Sequence, residues 1–330
     1  MARKPRSSKA GQSSCGLLKA LNFVSVAQKK KGSAFQTHCI FKNNTVTAFD
    51  GRLSAGHSIE EDLNATPQTQ TFTDALKLCG DTLTITQLDK SRLAVKSGKF
   101  NAFVPCHTEE MPTIEPDPPQ ALLDNRLIDG FRLISNLADE ETDKVATSTI
   151  LVKAGSMVAT NGFIVVEFWH GIDLPYPLII PKEAVAAVLK IDKKLAKFGF
   201  STHTFTFYFD DNSWIKTQLL NGDWPNTDQI LNVDCNPWPL FTEFYKAVNA
   251  LEKFTTKDRI YFKTDKVEAS LSDKEGASFE IPGLPEGPIF SINQLKLIEG
   301  MFDRIDFISY KDKSYFFGEN LRGAIMRCRE

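Results

Sequence analysis

The sequence lacks the cysteine pairs that would staple a fold or hold a metal. Its six cysteines, Cys15, Cys39, Cys79, Cys106, Cys235 and Cys328, stand far apart with no Cys-x-x-Cys, which reads as reduced, buried thiols in a cytoplasmic protein. There is no apolar run near the roughly 20 residues that span a bilayer. Residues 1–16 are basic and Ser-rich without the apolar stretch of a secretion signal, so no membrane partner is expected. Also missing are His-Glu-x-x-His, Gly-x-Ser-x-Gly, the phosphate-cradling Gly-x-x-x-x-Gly-Lys-Ser/Thr and the dinucleotide Gly-x-Gly-x-x-Gly. The five histidines are scattered, and His38-Cys39 and Cys106-His107 are strand neighbours that point to opposite faces. No enzyme, metal or cofactor is therefore expected. A net charge of −2 supplies no global field, so any contact with nucleic acid must come from local patches.

What is present is a repeat. A helix-like segment followed by alternating strand-like segments recurs with starts roughly 110 residues apart, at Thr73, Pro181 and Ser291. TDALKLCG leads into TLTITQL, RLAVKSG and KFNAFVP; PKEAVAAVLK into HTFTFYF and SWIKTQLL; SINQLKLIEGMF into RIDFISY, SYFFGE and GAIMRC. Each copy follows an earlier amphipathic segment, at 17–31, 125–137 and 241–254. Proline blocks both helix continuation and central strand pairing, so boundaries fall in the Pro-rich stretch 112–119 and near 236–239. The expected organisation is a disordered basic tail, 1–16, then three similar domains at 17–118, 119–236 and 237–330. The class is α+β, with two helices per domain packed on antiparallel sheet, because no βαβ rhythm is present.

A helix over Lys182–Phe198 would place Lys190, Lys193, Lys194 and Lys197 on one face at i, i+3, i+4 and i+7, opposite Val188, Ile191, Leu195 and Phe198. Stacked lysines repel, by a few tenths of a kcal/mol per neighbouring pair, and suit phosphates better than stability. A solvated lysine face is the plain alternative. Lys29, Lys30 and Lys31 form a second cluster behind the first helix, where cations also satisfy the helix dipole.

Residues 157–231 carry MVATNGFIVVEF, then LPYPLIIPKEAVAAVL, then IKTQLLNGDWPNTDQIL. In order and spacing these resemble the middle domain of the bacterial DNA sliding clamp, the β subunit of the replicative DNA polymerase. The family's T-D-G-H-R-L segment stands here as Thr160, Asn161, Gly162, Phe163, Ile164 and Val165, and its G-R-F-P-x-Y as Gly222, Asp223, Trp224, Pro225, Asn226 and Thr227. Looser likenesses flank it: LLKALNFVS from Leu17, EKF at 252–254, and GAIMRCRE where the family closes on M-P-M-R-L.

The resemblance implies a ring-forming clamp fold and a processivity factor, a homodimer loaded by a partner clamp-loader ATPase. Such a ring holds double-stranded DNA by topology, with only non-specific phosphate contacts. It also implies DNA contact by Lys29, Lys30, Lys31 and the lysines of 190–197. DNA polymerase and other clamp-binding peptides would be captured in a groove of Thr160, Gly162, Phe163, Ile164, Val165, Pro225, Gln229, Ile230 and Met326. Phe100 and Val248 match positions of the dimer interface. Phe163 and Ile164 stand for the family's His and Arg, and Gln229 for an Arg, so the groove is expected to be more apolar. These departures point to a divergent, phage-encoded member. The rival within the fold is a clamp-like regulator or decoy that binds replication proteins without encircling DNA.

Overall fold

The computed structural model describes residues 14–80, 82–138, 144–255, 257–270 and 276–329. The expected basic tail lies outside these residues, except that 14–16 already open a helix.

Among the described residues a helix followed by three strands occurs six times. First come α1 (Ser14–Val24), the single turn α2 (Ala34–Thr37), β1 (Ile40–Lys42), β2 (Thr45–Phe49) and β3 (Leu53–Ser58). Next are α3 (Thr69–Lys77), β4 (Thr84–Asp89), β5 (Arg92–Ser97), β6 (Phe100–Pro105) and the short β7 (Ala121–Leu122). The third block is α4 (Asn125–Ile134), the turn α5 (Val145–Ser148), β8 (Thr149–Lys153), β9 (Ser156–Thr160), β10 (Ile164–Trp169) and β11 (Leu178–Pro181). The fourth is α6 (Lys182–Leu189), β12 (Leu195–Phe200), β13 (Thr204–Phe209) and β14 (Trp214–Gln218), followed by α7 (Thr227–Leu231) and β15 (Trp238–Pro239). The last two are α8 (Phe244–Leu251), β16 (Arg259–Lys263), β17 (Lys266–Glu268), β18 (Ser278–Glu280) and β19 (Ile289–Ser291), then α9 (Ile292–Leu297), β20 (Arg304–Asp306), β21 (Lys313–Gly318) and β22 (Leu321–Met326). The helices are amphipathic; in α4, Leu127, Ile128, Phe131 and Ile134 form the buried stripe and Arg132 and Asp129 pair on the surface.

The chain divides into two compact units, each assembled from distant stretches. The first holds the residues up to Asp124 with Ala184–Leu219. Its large antiparallel sheet runs β1-β2-β3-β14-β13-β12-β7, beside a three-stranded sheet β4-β5-β6. The join between sequence-distant halves is β3 with β14, in the register Trp214↔Gly56 to Thr217↔Leu53. Gly56 is required there, because a Cβ on it would stand 2.3 Å from the Trp214 ring. On the neighbouring β13 and β12, Phe198 and Phe205 stack at 5.5 Å, and Phe205 and Phe207 meet edge-on at 4.6 Å. Each fully buried phenyl ring contributes roughly 1.5–3 kcal/mol.

The second unit holds Asn125–Glu183 and Leu220 onward. Its eight-stranded sheet runs β11-β8-β9-β10-β22-β21-β20-β15, with a four-stranded sheet β18-β17-β16-β19. Here the join is β10 with β22, from Ile164↔Ile325 to Phe168↔Leu321.

The expected helix over 182–198 is corrected: α6 stops at Leu189, and Leu195–Phe200 is strand β12 between β13 and β7. The helical spacing of Val188, Ile191, Leu195 and Phe198 is coincidental. As a strand, the segment buries Phe198 and Phe200 against the sheet interior and satisfies its backbone on both sides. A helix would have stacked four lysines. The thiol expectation also needs amending: Cys39 is buried and its thiol pushed up to about 12 by that burial, but Cys15 is exposed.

Candidate functional site

The turn between β9 and β10 is built by its own polar side chains. Asn161 Oδ1 accepts from the Phe163 and Ile164 amides at 3.0 and 2.8 Å, and Thr160 Oγ1 accepts from the Gly162 amide at 3.1 Å. Gly162 has φ +88°, a left-handed conformation in which a side chain would be strained. The result is that Phe163 is held outward, 61 % exposed. At the end of β22 the Met326 amide donates to the Phe163 carbonyl at 2.8 Å, setting Met326, 45 % exposed, beside it.

Alternation along the strands puts Val165 and Ala324 on one face of the sheet. With Val158, Leu231 and Tyr315 they form an apolar floor, against which Trp224, Ile230 and Tyr310 are half-buried. The single turn α7 covers part of this floor. A five-residue helix does not persist alone, and several side chains fasten it. Asn226 caps its start, accepting from the Asp228 and Gln229 amides. Tyr315 donates to the Ile230 carbonyl at 2.9 Å, Tyr310 to the Asp234 carbonyl at 2.9 Å, and Trp224 to Thr149 Oγ1 at 3.1 Å. Pro225 and Gln229 are exposed along its edge.

Next to the floor, on the same face, lies a buried ion cluster. Glu167 is 3 % exposed; its Oε1 takes Ser156 Oγ at 2.8 Å and Lys153 Nζ at 3.0 Å, and its Oε2 takes Arg322 Nε at 2.8 Å and Nη2 at 2.7 Å. Burial alone would raise its pKa, but Lys153, Ser156 and Arg322 together hold it below the ordinary glutamate value.

The structure thus brings Thr160, Gly162, Phe163, Val165, Pro225, Gln229, Ile230 and Met326 into one neighbourhood of the second unit. Ile164 is the exception. It is 1 % exposed and, one residue from Val165, points to the helix-covered face, so it is a core residue rather than part of the apolar shelf that Phe163, Met326 and Ile230 form over the floor. Sequence reasoning left Tyr310, Tyr315 and Ala324 out of the site and placed Trp224 only in the G-R-F-P-x-Y counterpart, not among the groove residues. No local signal marks the first three, which reach the floor through the pairing of β21 with β22 and the loop before β21.

The basic residues fare unevenly. Lys29, Lys30 and Lys31 are exposed in the loop after α1, and Lys190 and Lys194 are exposed beyond α6. Lys193 is committed inward: its Nζ meets Asp211 at 2.5 Å, His57 Nε2 at 3.0 Å and Ser213 at 3.3 Å, and lies 4.6 Å from the Phe23 ring centroid. Asp211 loses some charge stability to burial, yet Lys193 and Ser213 hold its carboxyl down at about 2. Lys197 lies half-buried on β12, opposite Leu122 and Tyr208. The expected stripe is therefore dispersed. Beside Lys193 a cavity of about 970 Å³ opens, lined by Lys19, Asn22 and Lys190 but also by Glu60, Glu61 and Asp192.

Phe100 is half-buried at the start of β6, near Phe103, which is exposed. Val248 is corrected: it belongs to the buried stripe Phe244, Ala247, Val248, Leu251 of α8 and is fully enclosed in its own unit. Its neighbour Phe254 is the exposed apolar side chain there. The near-neutral helices of 241–303 form pairs, Lys246 with Glu243 at 2.8 Å and Lys296 with Glu252 at 2.7 Å.

No protein-family model and no curated protein matches the chain. Solved structures do. The Caulobacter crescentus β sliding clamp aligns with a TM-score of 0.82 at 15% identity, over 97% of this chain and 98% of its own. A Pseudomonas aeruginosa DnaN sliding clamp, DNA polymerase III subunit β, bound to griselimycin gives 0.76 at 16% over 99% of both chains. The Helicobacter pylori β clamp bound to a DNA ligase peptide gives 0.78 at 16% over 99% and 100%. Six helix-and-strand blocks, two cross-sequence sheet joins and this near-complete superposition together establish that the chain has the fold of the bacterial DNA polymerase III β sliding clamps.

Proposed function

We propose that this protein is a DNA polymerase processivity factor: a clamp of three similar domains, 17–118, 119–236 and 237–330, that pairs into a homodimeric ring around duplex DNA. It has no catalytic activity of its own and tethers polymerase and other replication proteins through the apolar shelf. The observation that carries the reading is the fastened turn that presents Phe163 beside Met326 over the floor of Val158, Val165, Leu231 and Ala324. Side chains of that size are costly to leave in water unless a partner covers them, and short peptides gain their affinity from a few such anchors. The H. pylori clamp, bound to a DNA ligase peptide, offers a likeness for this use.

Ring closure uses open strand edges. β4 is an end strand in the first unit and β18 in the second, and main-chain pairing of one with its counterpart in a second copy removes both edges. DNA attraction then falls to Lys29, Lys30, Lys31, Lys190 and Lys194, with a clamp-loader ATPase opening the ring. A non-encircling decoy is the second reading, favoured by Lys193 being turned inward. One experiment separates them: retention on nicked circular DNA, with particle mass by light scattering. A dimer retained on circles and released when they are linearised supports the ring; a monomer that slips off both kinds of DNA overturns it.

A further inference from the structure

We infer that Arg322 is the positioning residue of the shelf, holding α7 in place from the sheet beneath; this rests on the shelf being a peptide-binding surface. Two of its nitrogens, Nε and Nη2, grip Glu167 Oε2 on β10 at 2.8 and 2.7 Å. The third, Nη1, reaches the opposite way, to Asn232 Oδ1 at 2.6 Å and the Leu231 carbonyl at 3.3 Å. One planar guanidinium therefore ties the β10–β22 join to the C-terminal end of the turn that carries Gln229 and Ile230. Its plane is further fixed by the Trp169 ring, 5.4 Å away. Lys153 makes a parallel bridge, from Glu167 at 3.0 Å to Asp228 on α7 at 3.1 Å. The carboxylate of Glu167 is the common anchor, with all four of its contacts made by donors.

The geometry is directional. Lysine at 322 could neutralise Glu167, but a single ammonium cannot also span to Asn232 and Leu231. Nor is the pair needed for burial, since buried ion pairs can be exchanged for apolar residues of similar size without loss of stability. What an apolar exchange would remove is the grip on α7. Shelf side chains must be held in place for a bound peptide to avoid the cost of ordering them.

The test compares Arg322→Lys, Asn232→Ala and the double exchange Glu167→Leu/Arg322→Leu in the full chain. Hydrogen exchange of 227–232, corrected for sequence and read by mass spectrometry, should quicken about tenfold in each, while exchange of β10 and β22 is unchanged in Asn232→Ala. The binding probe is a fluorescein-labelled peptide selected from a random library on the wild-type chain and no longer bound by Phe163→Ala. Its affinity should fall about tenfold in the three variants, through faster dissociation. Wild-type exchange at 227–232 in both Arg322→Lys and Asn232→Ala overturns the positioning role. If no peptide is selected, the shelf reading fails instead, and exchange at 227–232 still decides whether Arg322 holds the turn.

Discussion

The two sheet joins are built alike and finished differently. In the first unit the Pro-rich segment 112–119 crosses the outer face of β13 and β14 and is sealed by polar contacts. Buried Asp117 accepts from Thr204 and Thr206, each at 2.8 Å, and from Lys216 at 3.3 Å, while Tyr208 donates to its carbonyl. In the second unit the corresponding connection, 220–235, is clamped at α7 and helps bury the apolar floor, but Phe163 and Met326 stay exposed and Ile230 half-buried at its edge. The same architecture thus encloses a carboxylate in one place and leaves large apolar side chains exposed in the other. The difference lies in side chains: a buried carboxylate surrounded by donors seals, whereas Phe163 and Met326 point outward and stay uncovered.

Breaking the closed join should have the largest effect. Asp117→Ala leaves Lys216 half-buried without its charge partner, at a cost of about 3 kcal/mol, read as a lowered denaturant midpoint. An unchanged midpoint would mean that the seal contributes nothing. Breaking the open one should touch binding only. Phe163→Ala should weaken peptide capture by about 2 kcal/mol, roughly 30-fold, with thermal unfolding unmoved because the ring is already exposed; equal affinity would place the anchor elsewhere.

The lysines sharpen the contrast. Lys193→Met should cost about 1–2 kcal/mol of stability by removing its bond to Asp211 and leave the salt dependence of DNA retention intact. Lys29, Lys30 and Lys31 changed together to Glu should do the reverse, lowering the slope of log affinity against log salt by about one for each phosphate no longer engaged. A slope that falls with Lys193 instead would restore the side chain to the DNA surface.

The smallest effect is acid sensitivity. Because Glu167 is held below its ordinary value of 4.5, the stability it supplies is complete above that value and is lost as pH falls through its lowered folded value. Asp211, held at about 2, also contributes in full above its unfolded value and loses that contribution as pH falls toward about 2. Denaturant midpoints from pH 7 to pH 2 should drop as the pH passes below the ordinary glutamate range and the Glu167 contribution fades, and Glu167→Gln should remove that part of the drop. A midpoint flat with pH in the wild type would contradict the ion cluster.

Much of the fold was legible. The repeat, the α+β class, the strands of 204–218 and 313–326 and the amphipathic helices follow from periodicity, because burial of one face is written into each segment by itself. The TNGFIV segment was picked out only by its likeness to the family's T-D-G-H-R-L; the turn it makes, which asparagine and glycine build locally, was not read from the residues. Failures came where sheet pairing overrides the local period: Leu195 and Phe198 are spaced as on a helix, yet both are buried in β12 because the register shifts between Leu195 and Lys197 once β13 and β7 offer backbone partners. The same limit hid Ile164, whose facing depends on where β10 starts.

By itself the sequence determined the repeating units, the absence of catalytic motifs and the polar turn that lifts Phe163, all of which rest on contacts among near neighbours. Only the tertiary structure decided that Lys193 turns inward, that Val248 is core, and that Arg322 and Glu167, 155 residues apart, meet across one join. Charge partners of that kind are chosen by strand register between distant segments, and register is a property of the folded sheet rather than of either strand.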